Sequence, residues 1–302
     1  MAHEDPSKEH TTARTDRASA RTGHPAGRVD RPADPVGRGQ AGRTGHASDP
    51  IDCVTGRPWP GVHYFCSTRI GGCSAPPWDG LNLGLHVGDA PQAVLRNRAL
   101  LAARLPAEPL WLDQVHGTEV CDADAWAHAA APTADAAVTT RPDRPLAIMT
   151  ADCLPVVLAD VDGGVLGVAH AGWRGLAAGV LENTLERMRQ RAPGAARWRA
   201  WIGPAIGPES FEVGPEVRQA FVAPDPATAA FFAARPGSDR WLADLPAIAR
   251  HRLHAAGVED VECSGHCTYR DAQRFYSYRR AAHTGRQATV AWLSSRPADS
   301  PP

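Results

Sequence analysis

The pattern of apolar and polar positions changes abruptly near residue 59 of this 302-residue chain. The first fifty residues combine mixed charge with many Pro, Gly, Ser and Thr, and almost no large apolar side chain. Such a segment buries too little apolar surface to offset the entropy cost of ordering it. We therefore expect a disordered N-terminal extension over 1–55, one folded domain over 56–296 and a disordered tail over 297–302.

The folded part is predicted from short apolar runs and a few amphipathic patterns. Runs rich in apolar and β-branched residues between turn signals predict strands, at 62–68, 110–115, 136–140, 146–150, 155–159, 165–169, 198–202, 258–262 and 288–293. Apolar residues at helical spacing predict helices, at 93–105, 174–191 and 241–256. Strands cluster and helices are interspersed without strict alternation, which indicates an α+β or mixed-sheet α/β architecture.

Composition and charge narrow the class of protein. The chain is 43% hydrophobic and 22% charged, with a formal net charge of -1. That balance gives no electrostatic reason to expect nucleic acid or a membrane surface as a partner. No apolar run approaches the roughly 18 residues that span a bilayer. We expect a monomer or weak oligomer.

Seven cysteines lie scattered along the chain. No secretory leader pattern precedes them. Free thiols in a reducing cytoplasm are therefore the expected state.

Three segments share one design, in which an apolar strand ends in a potential metal ligand beside a tight turn. They are 113-DQVHG-117, 149-MTADCLP-155 and 168-VAHAGWRG-175, and the ligand candidates are His116, Cys153 and His170. Two imidazoles and a thiolate suit Zn²⁺ and also copper. Three protein ligands leave the fourth tetrahedral position open, which is the catalytic arrangement.

Each of these residues also has a structural interpretation. A histidine at a strand end is often only a hydrogen-bonded structural residue, and a buried cysteine is often only a small hydrophobic side chain. Periodicity and composition do not join the three residues into one site.

Two carboxylates have open roles. Asp152, next to Cys153, could orient a ligand histidine or act as a base, or it could cap its own backbone. Glu212 in the apolar context FEV could be a proton donor with a raised pKa, or half of a buried ion pair. Four arginines in motif segments could bind phosphate or be structural: Arg69, Arg174, Arg279 and Arg280.

Taken together, the motifs resemble one family. DQVHG, TADCLPVVLAD, AHAGWRG, IGPAIG with FEVG, and the late CT…FYSYRR…GR occur in order, and TRIGG and LNLG precede them. This set, over residues 59–293, resembles the purine nucleoside phosphorylase family once described as laccase-like or multicopper polyphenol oxidase. Two positions depart from its pattern: Phe211 stands where tyrosine is common, and Tyr276 where phenylalanine is frequent.

The resemblance implies a fold, a site and an activity. The fold is an α+β mixed β-sandwich flanked by helices, in a single catalytic domain similar to that of cytotoxic necrotizing factor toxins. The metal trio falls on His116, Cys153 and His170. The implied activity is zinc-dependent phosphorolysis of adenosine, inosine and 5′-methylthioadenosine, with adenosine deamination as a side activity. Its partners are purine nucleosides and phosphate.

Other functions stay open at this point. A copper-dependent polyphenol oxidase would require many more clustered histidines than the motifs contain. A metal-free hydrolase could use Cys153 as nucleophile and His170 as base, and a zinc-stabilised binding module is a further alternative. Cys263 and Cys267 have no nearby second ligand pair, so we do not expect a second zinc site there.

Overall fold

The computed structural model describes residues 51–295. Residues 1–50 of the predicted extension over 1–55, and the whole predicted tail over 297–302, lie outside the described residues. The predicted domain boundary at residue 56 is set too late, because β1 (Cys53–Val54) pairs with β2 (Val62–Ser67) and Ile51 is buried. Residues 51–55 therefore belong to the folded domain.

The first sheet has five strands in the order β1-β2-β14-β6-β3. Its remaining strands are β3 (Leu110–Trp111), β6 (Leu146–Thr150) and β14 (Gln287–Leu293). β14 runs antiparallel to both β2 and β6, while β3 runs parallel to β6. The last strand of the chain thus lies in the middle of this sheet.

The second sheet has six strands in the order β13-β9-β7-β8-β5-β4. The strands are β4 (Val120–Asp122), β5 (Ala136–Thr139), β7 (Leu154–Asp160), β8 (Leu166–Ala171), β9 (Trp198–Ile202) and β13 (Asp260–Cys263). The outer pairs, β13 with β9 and β4 with β5, are parallel, and the inner pairs are antiparallel. All residues of β5, β7, β8 and β9 are buried, which explains their continuous apolar runs.

A small third sheet and five helices complete the domain. The sheet has the order β10-β12-β11, with β10 (Glu212–Val213), β11 (Phe232–Ala234) and β12 (Trp241–Ala243). The helices are α1 (Pro91–Ala102), α2 (Trp173–Ala178), α3 (Val180–Arg191), α4 (Pro215–Val222) and α5 (Leu245–Ala255). Short 3-10 turns occur at Leu85–Val87 and Pro226–Phe231. No helix within 51–295 has the length and apolar character required to cross a membrane.

The core forms two layers around the six-stranded sheet. One layer lies between the two large sheets, where Tyr64 of β2 and Ile148 of β6 join Val168 of β8 and Trp201 of β9 in one buried cluster. The other layer packs α3 and α5 against the opposite face of the six-stranded sheet. This architecture confirms the predicted α+β class, a mixed β-sandwich flanked by helices.

Two predicted helices differ from the structure. The helix predicted over 174–191 is two helices, α2 and α3, because Gly179 between them has φ +101° and ends the first. The helix predicted over 241–256 begins only at Leu245, because Asp244 accepts a hydrogen bond of 2.9 Å from the N–H of Ala247 and caps it. The residues before that cap form β12 instead.

Replacement of Gly179 by Ala should destabilise the domain by roughly 1–3 kcal/mol, because a side chain disfavours its left-handed backbone. A steric clash would not contribute to this destabilisation, since the nearest surrounding atom, Oε2 of Glu182, would lie 3.7 Å from the added Cβ. The measurement is the free energy of unfolding from urea denaturation. Gly194→Ala is the matched control, since Gly194 has open space around it. Equal stability of the two variants would contradict the backbone explanation.

Candidate metal centre

Two strand ends and one loop of the sandwich bring the ligand candidates together. His116 lies in the loop after β3, Cys153 directly precedes β7, and His170 lies near the end of β8. β7 and β8 are antiparallel with Leu154 opposite Ala171, so Cys153 continues the ladder beside the turn that follows β8. Strand register therefore sets the separation of Cys153 from His170.

The three side chains converge on one point. The Sγ atom of Cys153 lies 3.9 Å from Nε2 of His116, and the two imidazole rings are 4.7 Å apart at 75°. All three candidate ligand atoms lie within 4.8 Å of one another. Ligand atoms around a tetrahedral zinc ion are about 3.3–3.8 Å apart, given bonds of about 2.0–2.3 Å. A small inward movement of the side chains would meet that geometry.

Asp135, which sequence analysis did not single out, holds two of the three ligands. It is completely buried directly before β5. Its Oδ1 accepts hydrogen bonds from Nδ1 of His170, at 2.8 Å, and from the N–H of His116, at 2.9 Å. Since a carboxylate only accepts, Nδ1 of His170 carries a proton and Nε2 is the atom available to a metal.

The same carboxylate shapes the His116 loop. Oδ2 of Asp135 accepts from the N–H groups of Val115, at 3.2 Å, and Gly117, at 2.6 Å. His116 between them has φ +62°, a left-handed conformation that costs free energy for a residue with a side chain. Three consecutive N–H groups directed at one buried carboxylate offset that cost and fix the imidazole in place.

Charge coupling favours ionised groups in the metal-free cluster. Burial opposes ionisation of the Cys153 thiol, but His170 and His116 outweigh it and lower its pKa to about 6. Burial also opposes a charged His170, but the Cys153 thiolate and Asp135 raise the imidazole pKa to about 9. Burial would raise the pKa of the Asp135 carboxyl, but hydrogen bonds from His170 and Gly117 outweigh that effect and keep the pKa below its ordinary value. The thiolate is the form that binds metals, and metal binding would release the histidine proton.

Two glycines of the AHAGWRG segment give the cluster its space. A Cβ on Gly172 would lie 2.8 Å from Cδ2 of His116 and 3.1 Å from Sγ of Cys153. A Cβ on Gly175 would lie 2.7 Å from the carbonyl oxygen of Gly117. Any side chain at these positions would displace the ligand loops.

The donor set fits a metal ion such as zinc. Two imidazoles and a low-pKa thiolate meet at a single point, and the backbone beside them has no room for a side chain. Thiolate and imidazole are ligands for both Zn²⁺ and copper, so the donor set alone does not select between them.

Asp152 is directed away from the cluster. Its carboxylate accepts hydrogen bonds from Oγ1 of Thr268 at 2.7 Å, Oγ of Ser277 at 3.0 Å and the N–H of Arg279 at 2.7 Å. Its backbone has φ +97°. Asp152 therefore connects the Cys153 turn to the two late motif segments, while Asp135 takes the histidine-orienting role considered for Asp152.

The other predicted site residues lie elsewhere. Glu212 is a partly exposed residue of β10, 3.3 Å from Arg235. Arg69 pairs with Asp79, Arg280 donates to three backbone carbonyls, and Arg279 donates to the Glu212 carbonyl. Arg174 is exposed over the Trp173 ring. None of them lines the cavity above the cluster.

A cavity of about 550 Å³ opens over the His–Cys–His cluster. Its walls combine apolar side chains such as Leu112 and Met149 with polar ones, among them His86, Tyr278 and Arg286. This volume is within the range of about 300–1,000 Å³ that small-molecule sites occupy.

Cys263 and Cys267 line a separate cavity of about 260 Å³. They form no three-ligand group with their neighbours in residues 51–295.

Known proteins resemble this chain over nearly the whole described domain. A family model described as multi-copper polyphenol oxidoreductase laccase matches residues 63–294. A purine nucleoside phosphorylase of Pseudomonas aeruginosa is 48% identical over 238 residues, which is 78% of this chain and 96% of the relative. Purine nucleoside phosphorylase YfiH of Escherichia coli is 47% identical over 240 residues, with the same coverage of both chains.

Solved structures show the same fold. The crystal structure of a Neisseria meningitidis protein has a TM-score of 0.75 and 42% identity, covering 82% of this chain and 100% of that one. The hypothetical protein YfiH of Bacillus licheniformis has a TM-score of 0.72 and 31% identity, covering 77% of this chain and 93% of that one.

The Cys153 thiol of metal-free protein should react as a thiolate at unusually low pH. Its alkylation rate with iodoacetamide should reach half its maximum near pH 6, as the lowered pKa requires. Asp135→Asn should move the midpoint upward, because loss of that negative charge disfavours the His170 imidazolium that stabilises the thiolate. The measurement is adduct formation at Cys153 by mass spectrometry across pH. Asp162→Asn, at an exposed turn, is the control, and a midpoint unmoved by Asp135→Asn would refute the coupling.

Proposed function

The chain belongs to the family described as multi-copper polyphenol oxidoreductase laccase, and from that premise we propose that it is a zinc-dependent purine nucleoside phosphorylase. The proposed substrates are adenosine, inosine and 5′-methylthioadenosine with phosphate. The products are the free base and the sugar 1-phosphate. The names of relatives at 47–48% identity support this activity.

One observation carries the proposal: a three-ligand cluster forms the floor of a cavity of about 550 Å³. Three ligands leave a fourth position for substrate, as catalytic rather than structural sites do. The cavity has room for a nucleoside together with phosphate. The proposed ligands are His116, Cys153 and His170.

The proposed reaction exchanges one bond at the sugar. A phosphate oxygen bonds to C1′ while the C1′–N9 bond breaks, and the purine leaves with the electron pair and takes up a proton. A metal ion held by the cluster supplies Lewis acidity and positive charge beside the reacting groups.

The chain's own residues prepare the site for this reaction. Asp135 fixes the proton on Nδ1 of His170 and the position of His116, so the metal ligands are arranged before substrate binds. Leu112 and Met149 line the cavity and are themselves nearly buried, which gives a purine an apolar surface and excludes water.

Adenosine deamination is the proposed side activity of the same site. In that reaction water adds to C6 of the purine and ammonia leaves, so no phosphate is consumed. The cytoplasmic location, the absence of a nucleic-acid partner and a monomeric or weakly associated state stay predictions from the sequence.

Two alternatives give different experimental outcomes. The family description raises a copper-dependent polyphenol oxidase, but residues 51–295 contain one group of three potential ligands, and a multi-copper site requires more histidines. The contacts from Asp135 through His170 to Cys153 resemble a catalytic triad, which supports a metal-free Cys–His hydrolase.

Phosphorolysis should depend on both the metal and the cluster. Adenosine with phosphate should give adenine and ribose 1-phosphate, separated by chromatography, and a chelator should abolish product until Zn²⁺ is added. His170→Ala should lose bound metal and phosphorolysis together, and Cys153→Ser should bind metal weakly, because a hydroxyl stays protonated where a metal-bound thiol does not. Metal content is measured on each sample.

Each alternative has its own signature in that experiment. Full activity after verified metal removal would support the hydrolase and defeat the zinc proposal. Activity restored by copper alone, with oxidation of a phenol in place of phosphorolysis, would support the oxidase.

Asp135→Asn should weaken metal affinity by about 10–100-fold, the usual effect of losing the partner of a metal-bound histidine. An amide of equal size keeps the volume but loses the charge and two acceptor positions. The measurement is competition with a chromogenic zinc chelator, with Asp162→Asn as the control. Unchanged affinity would show that Asp135 orders the loop without supporting the ligands.

A further inference from the structure

Arg286 is an arginine that lines the cavity above the His–Cys–His cluster. It lies directly before β14, in the GR segment of the late motif. Within the described residues it is the only arginine or lysine in the wall of this cavity. The four arginines selected from motif membership all lie outside it: Arg69, Arg174, Arg279 and Arg280.

The Arg286 guanidinium has hydrogen-bond donors to spare. Nη1 donates to the carbonyl oxygens of Thr284, at 3.1 Å, and Gly285, at 3.0 Å. Over residues 51–295 neither Nε nor Nη2 has a hydrogen-bond acceptor, and no carboxylate forms an ion pair with Arg286. Its Cζ atom also lies 6.0 Å from the centroid of the Tyr278 ring.

Within residues 51–295, Arg286 is a half-buried cation with no carboxylate partner. Burial lowers the pKa of Arg286, with the charges of Cys153 and Asp152 acting in the opposite direction. A guanidinium nevertheless keeps its charge near neutral pH. Other half-buried arginines within 51–295 donate to protein groups: Arg252 and Arg274 to carboxylates, and Arg280 to three backbone carbonyls. Its Nε and Nη2 have no protein acceptor, and an anion in the cavity that Arg286 lines would satisfy them.

The LNLG segment near the front of the domain holds Arg286 in place. Oδ1 of the fully buried Asn82 accepts from the N–H of Arg286 at 2.9 Å, and the N–H of Leu83 donates to its carbonyl at 3.0 Å. A Cβ on Gly84 would lie 2.8 Å from Cγ of Arg286. The glycine thus leaves room for the arginine stem, and the backbone around it is anchored at both ends.

We propose that Arg286 binds the phosphate co-substrate through its free Nε and Nη2 donors, beside the His–Cys–His cluster. This assignment rests on the proposed function for the identity of the anion. Nε and one Nη form the edge of a guanidinium that matches two phosphate oxygens. The LNLG and GR segments are far apart in the chain, and their contacts together place one cation over the reaction site.

The test compares phosphate dependence in metal-loaded variants. In Arg286→Gln the KM for phosphate should rise at least about tenfold, since charged hydrogen bonds to the anion are lost, while the KM for adenosine changes much less. The phosphate KM of Arg286→Lys should lie between those of the parent protein and Arg286→Gln, because lysine keeps the charge but cannot form the bidentate pair of hydrogen bonds. Gly84→Ala should also raise the phosphate KM by displacing the arginine stem. Arg96→Gln, at an exposed position of α1, is the control.

Equilibrium dialysis with radiolabelled phosphate gives a second readout that does not require turnover. Binding should weaken in Arg286→Gln, with metal content and melting temperature equal to those of the parent protein. Unchanged phosphate KM and binding in that variant would overturn the assignment. If the parent protein binds phosphate through Arg286 but performs no phosphorolysis, the proposed function fails and the anion site stands. If Arg286→Gln does not fold, the phosphate KM and phosphate binding of Arg286→Lys and Gly84→Ala test the assignment instead.

Discussion

The hydrogen bonds of Asp135 are the interaction on which the candidate site depends. One buried carboxylate accepts from the ring of His170 and from three consecutive backbone N–H groups at residues 115–117. It therefore fixes a ligand on β8 and a ligand on a separate loop with the same two oxygen atoms. A buried carboxylate without these donors would be strongly destabilising, so the native loop and the native histidine position are required together.

A second carboxylate performs a similar task on the other side of Cys153. Asp152 joins the turn before β7 to Thr268, Ser277 and Arg279. The family motifs that look unrelated in sequence are thus in contact: the Cys153 turn meets the two late segments, and the LNLG segment meets Arg286. Some motif residues, such as Asp152 and Asn82, hold other motif segments in place, while others, such as Gln114 and Tyr278, line the cavity itself.

The sequence predicted most of the fold, because continuous apolar runs identify strands buried on both faces, such as β7 and β8. It misjudged 174–191 and 241–256 because apolar periodicity continues across Gly179 and across the cap at Asp244, where backbone conformation and capping determine the break. The local signals for both breaks, a glycine and an Asp before a proline, are present in the sequence.

The site was predictable only in part, for a different reason. Spacing indicated that His116, Cys153 and His170 could be ligands, but only resemblance joined them into one set. Asp135 carries no local signal for a partner that lies 35 positions away. Arg286 belongs to the late GR motif, yet motif membership does not tell which side chain faces a cavity and which, like Arg280, binds backbone carbonyls.

The placement of the ligands on different strands also has a consequence for how the chain selects its strand pairing. Leu154 opposite Ala171 sets Cys153 beside the turn after His170, and a slip of one residue would turn side chains to the opposite face of the sheet. An ion that binds all three ligands stabilises the correctly paired sheet alone, by RT ln(1 + [L]/Kd). Misaligned pairings receive none of this stabilisation. A bound ion would therefore favour the native register of β7 and β8 over shifted ones, in addition to any part it takes in turnover.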